Sequence, residues 1–439
     1  MNIGSEMQEI SSNNKRIAKN TLLLYFRMLV TMAVSLYTSR VVLNILGVED
    51  FGIYNVVGGI VAMFGFINGS MTSATQRYLT FELGQNNRAQ LTKVFSTSLS
   101  IHGIISFLII VLAETVGLWF LWNKMQIPAD RMNAAFWVFQ CSVAASVIMI
   151  MSVPYNAAII AHERMSAFAY ISIIEVSLKL LIVCFLRYFH TDKLILYAVL
   201  IVIVQFLIRL CYSWYCNRHF NETKYRWSWD KGLFKEMTGF ASWNMFGSLA
   251  AITFTQGLNL LLNMFFGPVV NAARGIAVQA QTAIGQFSSN FQTALNPQIT
   301  KSYATGDMEY MHGLIFRSAK FSFFLLLLLS LPVLIETKAI LTLWLKIVPD
   351  HTVVFLRIML CTTWVYAVSN PLITAASATG KIKLYQSVVG GLLLLILPIS
   401  YLCLRFGLPA YSVFIVHFVM EITAQFARLL MLRRMIRLS

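Results

Sequence analysis

The chain has 439 residues, of which 58% are hydrophobic and 12% charged, with a formal net charge of +16. A water-soluble globular domain carries about 25% charged residues, so this composition excludes a soluble enzyme or binding module and predicts a polytopic membrane protein. The six cysteines lie within apolar stretches and show no CxxC spacing. This pattern favours small core residues over disulfides or a zinc site.

The first 17 or so residues are polar and lack the apolar core of a signal peptide, so we expect a retained, cytoplasmic N-terminus. A helix needs about 20 apolar residues to cross the roughly 30 Å hydrocarbon layer. Windows of that length predict an all-α chain with twelve transmembrane helices and no gap long enough for a soluble domain. They cover about 20–44, 51–76, 95–121, 133–160, 166–188, 194–216, 238–264, 269–296, 314–335, 352–377, 384–405 and 409–431.

An even number of helices places both termini on the same side of the membrane. On that side the predicted loops and helix ends carry 21 Lys and Arg residues, against 7 on the opposite side. The positive-inside rule therefore predicts cytoplasmic termini. Contact with the anionic inner leaflet accounts for most of the positive charge, so nucleic acid is not needed as a partner. Six basic residues remain inside the spans: Arg27, Arg40, Lys179, Arg209, Arg274 and Arg357.

The two halves of the chain share landmarks at offsets of 217 to 222 residues. The matching pairs are Gly47 with Gly267, Gly84 with Gly306, Leu121-Trp122 with Leu343-Trp344, and Pro154 with Pro371. This predicts a duplicated six-helix unit, with both copies entering the membrane in the same direction as a parallel repeat. We expect an N-terminal lobe at 1–219, a cytoplasmic loop at 220–235 and a C-terminal lobe at 236–439.

Two predicted helices are too polar to face lipid on all sides. The helix at 51–76 is rich in glycine and hydroxyl residues, which suits tight packing in the bundle interior. Its counterpart at 269–296 carries seven Asn and Gln residues, too many amides for a dry interface. We therefore expect Arg274, Gln279, Gln286 and Asn290 of this helix to line a wet cavity.

Two arginines lie in the first predicted helix. Arg27 is about 10 Å along it, at 1.5 Å of rise per residue from Asn20. It either contacts a cargo or extends to the cytoplasmic interface. Arg40 is about 30 Å along the same helix, where it either anchors the outer boundary or lines the cavity.

Two sets of charged residues are candidates for coupling to an ion. Glu175 and Lys179 have the i, i+4 order that favours an ion pair within a helix, which predicts mutual neutralisation. The last predicted helix carries a polar stripe at spacings of 4, 4 and 3, formed by His417, Glu421, Gln425 and Arg428. This stripe is either a proton or sodium relay or the buried seam of the helix.

Several motifs of catalysis and cofactor binding are missing. The chain has no GxxxxGK[ST] loop, HExxH, CxxC or DxD, and the predicted outer loops are short. We therefore expect neither an enzyme nor a bound metal or cofactor. A duplicated bundle with a polar, net-positive lining suits an anionic cargo that is exposed alternately to the two sides. Transport could be coupled to a proton or sodium gradient or to the membrane potential.

The segment SRVVLNILGVEDFGIYNVVGG at 39–59, followed by SATQRYLTFELG at 73–84, resembles a known family. It is similar to the polysaccharide transporters (Wzx-type O-antigen or capsule flippases) of the multidrug/oligosaccharidyl-lipid/polysaccharide (MOP) exporter superfamily. The resemblance implies a MATE-like fold of two six-helix lobes that alternate between inward-open and outward-open states. It also implies transport of an undecaprenyl-pyrophosphate-linked oligosaccharide from the cytoplasmic to the periplasmic leaflet of a bacterial inner membrane.

In similar flippases, arginines on helices 1, 2 and 8 meet the pyrophosphate, and Arg27 and Arg274 match by helix. The second helix departs from that pattern, because its arginine, Arg77, sits at the cytoplasmic end. The expected partners are the lipid-linked oligosaccharide, membrane lipids, and polysaccharide polymerase and assembly proteins, with no nucleic acid. The chain is expected to act as a monomer.

Two other functions fit the architecture less well. A multidrug exporter of the same superfamily takes cationic drugs and usually uses buried acids, whereas the first helix here has arginines and no acid. A membrane enzyme of glycan assembly would normally present a large outer loop with catalytic acids, which this sequence lacks.

Overall fold

The computed structural model describes residues 3–62, 65–123, 125, 127–186, 188–189, 191–224, 230–345 and 348–437. Side chains at 3–14, 36, 39–40, 43, 48–49, 55–56, 59–62, 65–68, 268 and 345 lie outside the described set. The regular structure in these ranges is entirely helical, which confirms the all-α prediction. The helices are α1 Ile3–Ala62, α2 Gly65–Gly84, α3 Arg88–Leu112, α4 Leu118–Asn123, α5 Met132–Ala161, α6 Met165–Leu186, α7 Lys193–His219, α8 Lys231–Phe266, α9 Pro268–Thr305, α10 Met308–Ile335, α11 Thr337–Leu345, α12 Thr352–Ala378, α13 Lys383–Arg405 and α14 Ser412–Met435.

Among the described residues, ten helical stretches are long and apolar enough to cross a membrane. The two predicted spans missing from the ten are those at 51–76 and 269–296. They fold as helix nonetheless, the first as the end of α1 together with α2, and the second as α9. Glycines and amides lower the hydropathy of both, so they need protein or water on part of their surface. Together with these two helical regions, the ten apolar stretches account for the twelve membrane helices that the sequence predicts.

The polar helices extend beyond the predicted boundaries. α2 continues to Gly84 and α9 to Thr305, whereas the windows end at 76 and 296. α9 has 38 residues, which corresponds to about 57 Å at 1.5 Å per residue. The hydrocarbon layer is only about 30 Å thick. A hydropathy window therefore detects only the membrane-embedded part of such a helix.

The chain divides into two compact units, Met1–Thr238 (unit 1) and Gly239–Ser439 (unit 2). In unit 1, Phe139 of α5 and Leu121 of α4 are fully buried in an apolar cluster with Val57 of α1. In unit 2, Phe355 of α12 and Leu262 of α8 lie at the centre of a second cluster. Each unit thus has an apolar core of its own.

One repeat landmark has the same backbone conformation in both copies. Gly47 has φ 83° and ψ 169°, and Gly267 has φ 78° and ψ −172°. Gly47 breaks α1, and Gly267 separates α8 from α9, so each precedes a polar helix. A Cβ at either position would meet no atom of the described residues within 4 Å. Glycine is required by the backbone angles, which side chains rarely adopt, and not by lack of space.

The proline landmark also recurs with its context. Pro154 lies inside α5 and Pro371 inside α12. Nine residues after each proline a left-handed residue follows the helix end, Glu163 with φ 58° and Gly380 with φ 74°. The duplicated unit is therefore present in the backbone as well as in the sequence.

The glycine landmark at the other end of the polar helices does not recur. Gly306 is left-handed, with φ 78°, and ends α9. In the first copy the left-handed residue after the helix is Asn86, with φ 53°, two residues beyond Gly84. Asparagine tolerates this conformation better than most side chains, so the copies end the same turn with different residues.

Candidate functional site

A polar cavity of about 410 Å³ lies within unit 2. Helices α8, α9, α10, α12, α13 and α14 contribute to its wall. It combines residues from the predicted wet helix with residues of the polar stripe on α14. Its polar lining consists of Thr255, Gln281, Thr282, Gln286, Ser288, Ser289, Thr362, Thr363, Tyr366, Asn370, His417, Glu421 and Arg428.

A buried ion pair lies in the wall of the cavity. Arg428 Nη1 donates to Glu421 Oε1 at 2.7 Å, and the two residues are only 3% and 4% exposed. Arg428 also donates to Ser369 Oγ of α12 at 2.9 Å and to the Tyr385 hydroxyl of α13 at 3.2 Å. Ser369 in turn donates to Gln425 Oε1 at 2.6 Å. The stripe on α14 is thus both a buried seam and part of the cavity wall.

His417 lies one turn before Glu421 on α14 and also lines the cavity. Its ring is half-buried, with its centroid 4.8 Å from that of Phe254 on α8. The structure therefore brings His417 and Glu421, two predicted coupling residues, to one site together with Gln286.

Arg274 is placed beside this cavity. It lies at the end of the second turn of α9 and is 9% exposed. Its Nη2 donates to the Thr255 carbonyl at 2.8 Å and its Nη1 to Asn259 Oδ1 at 3.3 Å, both on α8. Because Thr255 also lines the cavity, the guanidinium lies next to it. Arg274 forms no ion pair with any residue in the described part of the chain.

Not all amides of α9 line the cavity. Gln279 is exposed and outside the cavity lining. Asn290 is 8% exposed and donates to the main-chain carbonyl of Gln286 at 2.9 Å, so it is bonded within its own helix. Gln292 is bonded to Ser322 of α10 at 2.6 Å. Of the three amides predicted to line a cavity, Gln286 lies in this one, and its neighbours serve packing or lie elsewhere.

Arg27 in unit 1 is directed towards α6. Its Nη1 donates to Ser172 Oγ at 3.4 Å, and the guanidinium carbon lies 4.5 Å from the centroid of the Phe168 ring. The structure thus holds the half-buried guanidinium inside the helix bundle of unit 1. The side chain of Arg40 lies outside the described residues.

The ion pair that the spacing on α6 predicts is present. Lys179 Nζ lies 2.6 Å from Glu175 Oε1, and Gln205 of α7 donates to the same oxygen at 3.0 Å. Both charges of this predicted coupling pair are therefore engaged within unit 1.

Sequence reasoning did not find a second polar cavity, of about 370 Å³, in the connecting segments of unit 1. There His162 Nε2 and Glu222 Oε1 form a hydrogen bond of 2.5 Å, and the His162 ring stacks on Phe220 with centroids 4.0 Å apart. Burial raises the pKa of Glu222, but the hydrogen bond with His162, a main-chain hydrogen bond and the nearby charges of His162 and Arg88 together outweigh it, so the pKa lies below its usual range. The partners of this cluster are 60 residues apart in the sequence, and no motif links them.

Sequence reasoning also missed the residues that hold the charged side chains. Ser369 and Tyr385 bond Arg428, and Asn259 bonds Arg274. Single hydroxyl and amide residues of this kind are common in membrane helices and carry no local signal. Among the described residues, no group of three or more His, Cys, Asp or Glu side chains is placed to hold a metal ion.

Comparison with known proteins places the chain in a family. The family model described as "Polysaccharide biosynthesis protein" matches residues 17–303. No curated protein sequence matches the chain.

Solved transporter structures share the fold. A MATE transporter in the bent conformation aligns with a TM-score of 0.85 at 13% identity, covering 97% of this chain and 96% of that one. The Vibrio cholerae MATE transporter VcmN aligns with a TM-score of 0.82 at 17% identity, covering 97% and 98%. A MOP-superfamily transporter from Pyrococcus furiosus, described as having a binding pocket of reverse polarity, aligns with a TM-score of 0.81 at 13% identity, covering 97% and 96%. The chain therefore belongs to the polysaccharide biosynthesis protein family, and its fold is that of these MATE and MOP-superfamily transporters.

Proposed function

We propose that this protein is a flippase. Its cargo would be an undecaprenyl-pyrophosphate-linked oligosaccharide, such as an O-antigen, capsule or exopolysaccharide repeat unit. The cargo would move from the cytoplasmic to the periplasmic leaflet of a bacterial inner membrane by alternating access, with both termini of the protein cytoplasmic. The observation that carries this proposal is the environment of Arg274.

A buried guanidinium without a counter-charge is unfavourable by several kcal/mol. Arg274 is buried, and its hydrogen bonds go to two neutral oxygens, those of Thr255 and Asn259. Its Nε is also buried and has no hydrogen-bond partner among the described residues. A pyrophosphate oxygen would supply both the missing charge and a bond roughly twice as strong as a neutral one. The site thus favours an anionic cargo.

The acids within the helices argue against the alternative, an exporter of cationic drugs. Glu421 is paired with Arg428 and Glu175 with Lys179. Glu114 accepts a hydrogen bond from Gln140 at 3.2 Å. A cationic drug in unit 2 would have to compete with Arg428 for the carboxylate, whereas an anion near Arg274 would displace no carboxylate of the described residues.

Coupling to an ion stays part of the proposal. His417 with Glu421, and Glu175 with Lys179, are the candidate groups in units 2 and 1. Each carboxylate already has a cationic neighbour, Arg428 or Lys179, and the proposal covers a proton, sodium or the membrane potential alike. Association with polymerase and assembly proteins and a monomeric state likewise remain predictions.

Substitution of Arg274 tests the function. Arg274→Ala should reduce surface glycan at least tenfold while the amount of protein in the membrane is unchanged. Arg357→Ala is the matched control, because Arg357 is an exposed cation on α12 that bonds Thr337 Oγ1 at 3.0 Å outside the cavity. Normal surface glycan in the Arg274→Ala strain, with undiminished export of lipid-linked units, would overturn the proposal.

A further inference from the structure

Four polar side chains line the cavity of unit 2 and form no hydrogen bond to the described residues. Gln286 and Ser289 lie one turn apart on α9, and Tyr366 and Asn370 lie one turn apart on α12. Two amides and two hydroxyls on facing helices offer both donors and acceptors, as a hydroxyl-rich ligand requires.

The charges in the cavity wall cancel. Glu421 and Arg428 form an ion pair at 2.7 Å, and His417 is the remaining titratable group of the lining besides Tyr366. A charged group placed among these residues would lose its hydration without gaining an unpaired counter-charge from the lining, which is unfavourable. The cavity therefore suits a neutral ligand.

The cavity also has apolar surface. Phe254 of α8 and Tyr366 of α12 contribute aromatic rings, and Leu326 and Leu393 contribute aliphatic side chains. A sugar ring combines an apolar C–H face with a rim of hydroxyls, so it matches a wall that contains both aromatic rings and amides. The volume of about 410 Å³ lies in the lower part of the range for small-molecule pockets and suits roughly one or two sugar rings.

We infer that this cavity binds a neutral sugar unit of the cargo, adjacent to the pyrophosphate contact at Arg274. The inference rests on the proposed function. The link between the two sites is Thr255, whose carbonyl accepts from Arg274 at 2.8 Å and which itself lines the cavity. Arg274 would meet the charged linkage, while Gln286, Ser289, Tyr366 and Asn370 would contact the sugar.

Gly285 provides a way to fill the cavity. It lies in the cavity wall, and among the described residues a Cβ at this position would meet only Thr363 Cγ2, at 3.9 Å. A leucine can therefore be accommodated at the backbone, and its larger side chain would occupy the space of the ligand. Gly391 on α13 is the matched control, since a Cβ there meets nothing within 4 Å and the residue is outside the cavity lining.

The experiment compares two lipids bound to the full chain in nanodiscs. One probe is undecaprenyl pyrophosphate carrying a single N-acetylglucosamine, and the other is undecaprenyl pyrophosphate alone. We expect the sugar to strengthen binding to the native protein about tenfold, the effect of one or two net hydrogen bonds. Gly285→Leu and Asn370→Ala should lose most of this increment but still bind the lipid without sugar. Gly391→Leu should behave as the native protein.

Three outcomes would overturn the inference, and they are distinguishable. If both lipids bind the native protein equally, the sugar pocket is wrong while the proposed function stands. If neither lipid binds more tightly than phosphatidylglycerol, the proposed function fails together with the inference. If a lipid carrying glucuronic acid binds more tightly than the N-acetylglucosamine lipid, the cavity does not select a neutral sugar. Asn370→Ala keeps the test decisive if Gly285→Leu does not fold.

Discussion

Arg428 donates to Glu421 Oε1 at 2.7 Å across two turns of α14, and both side chains are almost completely buried. The same guanidinium reaches Ser369 on α12 and Tyr385 on α13. One residue thus ties three helices of unit 2 together at the wall of the polar cavity. The pair has consequences for stability that are separate from transport.

Removal of one member of this pair should destabilise unit 2 strongly. Glu421→Ala leaves the Arg428 guanidinium buried without its counter-charge, and such changes cost about 3–5 kcal/mol. Replacing both residues with apolar side chains, as Glu421→Leu with Arg428→Met, should recover most of the loss, because no charge then remains buried. Thermal unfolding of the purified variants measures the effect. A double variant less stable than Glu421→Ala would contradict this account.

Unlike Glu421, Arg274 should contribute to binding of the cargo and not to stability. Arg274→Met removes a buried charge whose hydrogen bonds are to neutral oxygens. The temperature of thermal unfolding should therefore stay the same or rise, while binding of undecaprenyl pyrophosphate falls at least tenfold. Thermal unfolding with and without this lipid measures both quantities. A marked loss of stability in the absence of lipid would show that Arg274 is chiefly a structural residue.

Gly47 and Gly267 should be equally intolerant of a side chain. Both adopt a conformation that residues with a Cβ rarely adopt, and forcing such a residue into it costs on the order of 1–3 kcal/mol. Gly47→Ala and Gly267→Ala should each lower the free energy of unfolding by about this amount. Gly391→Ala, within regular helix, should be neutral or slightly stabilising. Unequal effects at the two positions would argue against equivalent roles in the repeat.

A cluster outside the membrane-spanning helices predicts a loss of stability in acid. Arg131 bridges Asp192 at 2.7 Å and Asp50 at 2.5 Å. Burial raises the pKa of Asp192, but hydrogen bonds from Arg131 and from the main-chain N–H groups that Asp192 caps outweigh it, so the pKa is lowered. A lowered pKa contributes stability above the ordinary value of about 3.9. That stability is lost as the pH falls from this value through the lowered one.

Asp192→Asn isolates this contribution, because asparagine keeps the capping ability at the start of α7 but not the charge. The variant should be less stable than the native protein at pH 6, and the difference should shrink as the pH falls below about 4. Thermal unfolding at several pH values measures it. A constant difference between pH 6 and pH 3 would show that the charge of Asp192 contributes nothing.

Much of the architecture is readable along the chain. Hydropathy and length are local properties, so windows of about 20 residues located the helices, and the polarity of α9 marked it as a helix that cannot face lipid on all sides. The landmarks Gly47 and Gly267 were readable because a strained backbone angle restricts the residue type at that position. The i, i+4 spacing of Glu175 and Lys179 sufficed for their ion pair, since both partners lie on one helix.

Tertiary packing decided which polar groups meet. Gln286 and Asn290 have the same chemistry and lie one turn apart, yet Gln286 lines the cavity, whereas Asn290 bonds the main chain of its own helix. Arg274 depends on α8 for its bonds, and Arg428 depends on α12 and α13. Sequence periodicity gives the face of a helix on which a side chain lies but not the neighbour that the face meets. Whether a charge has a partner or is available to a ligand is therefore decided only when the helices pack.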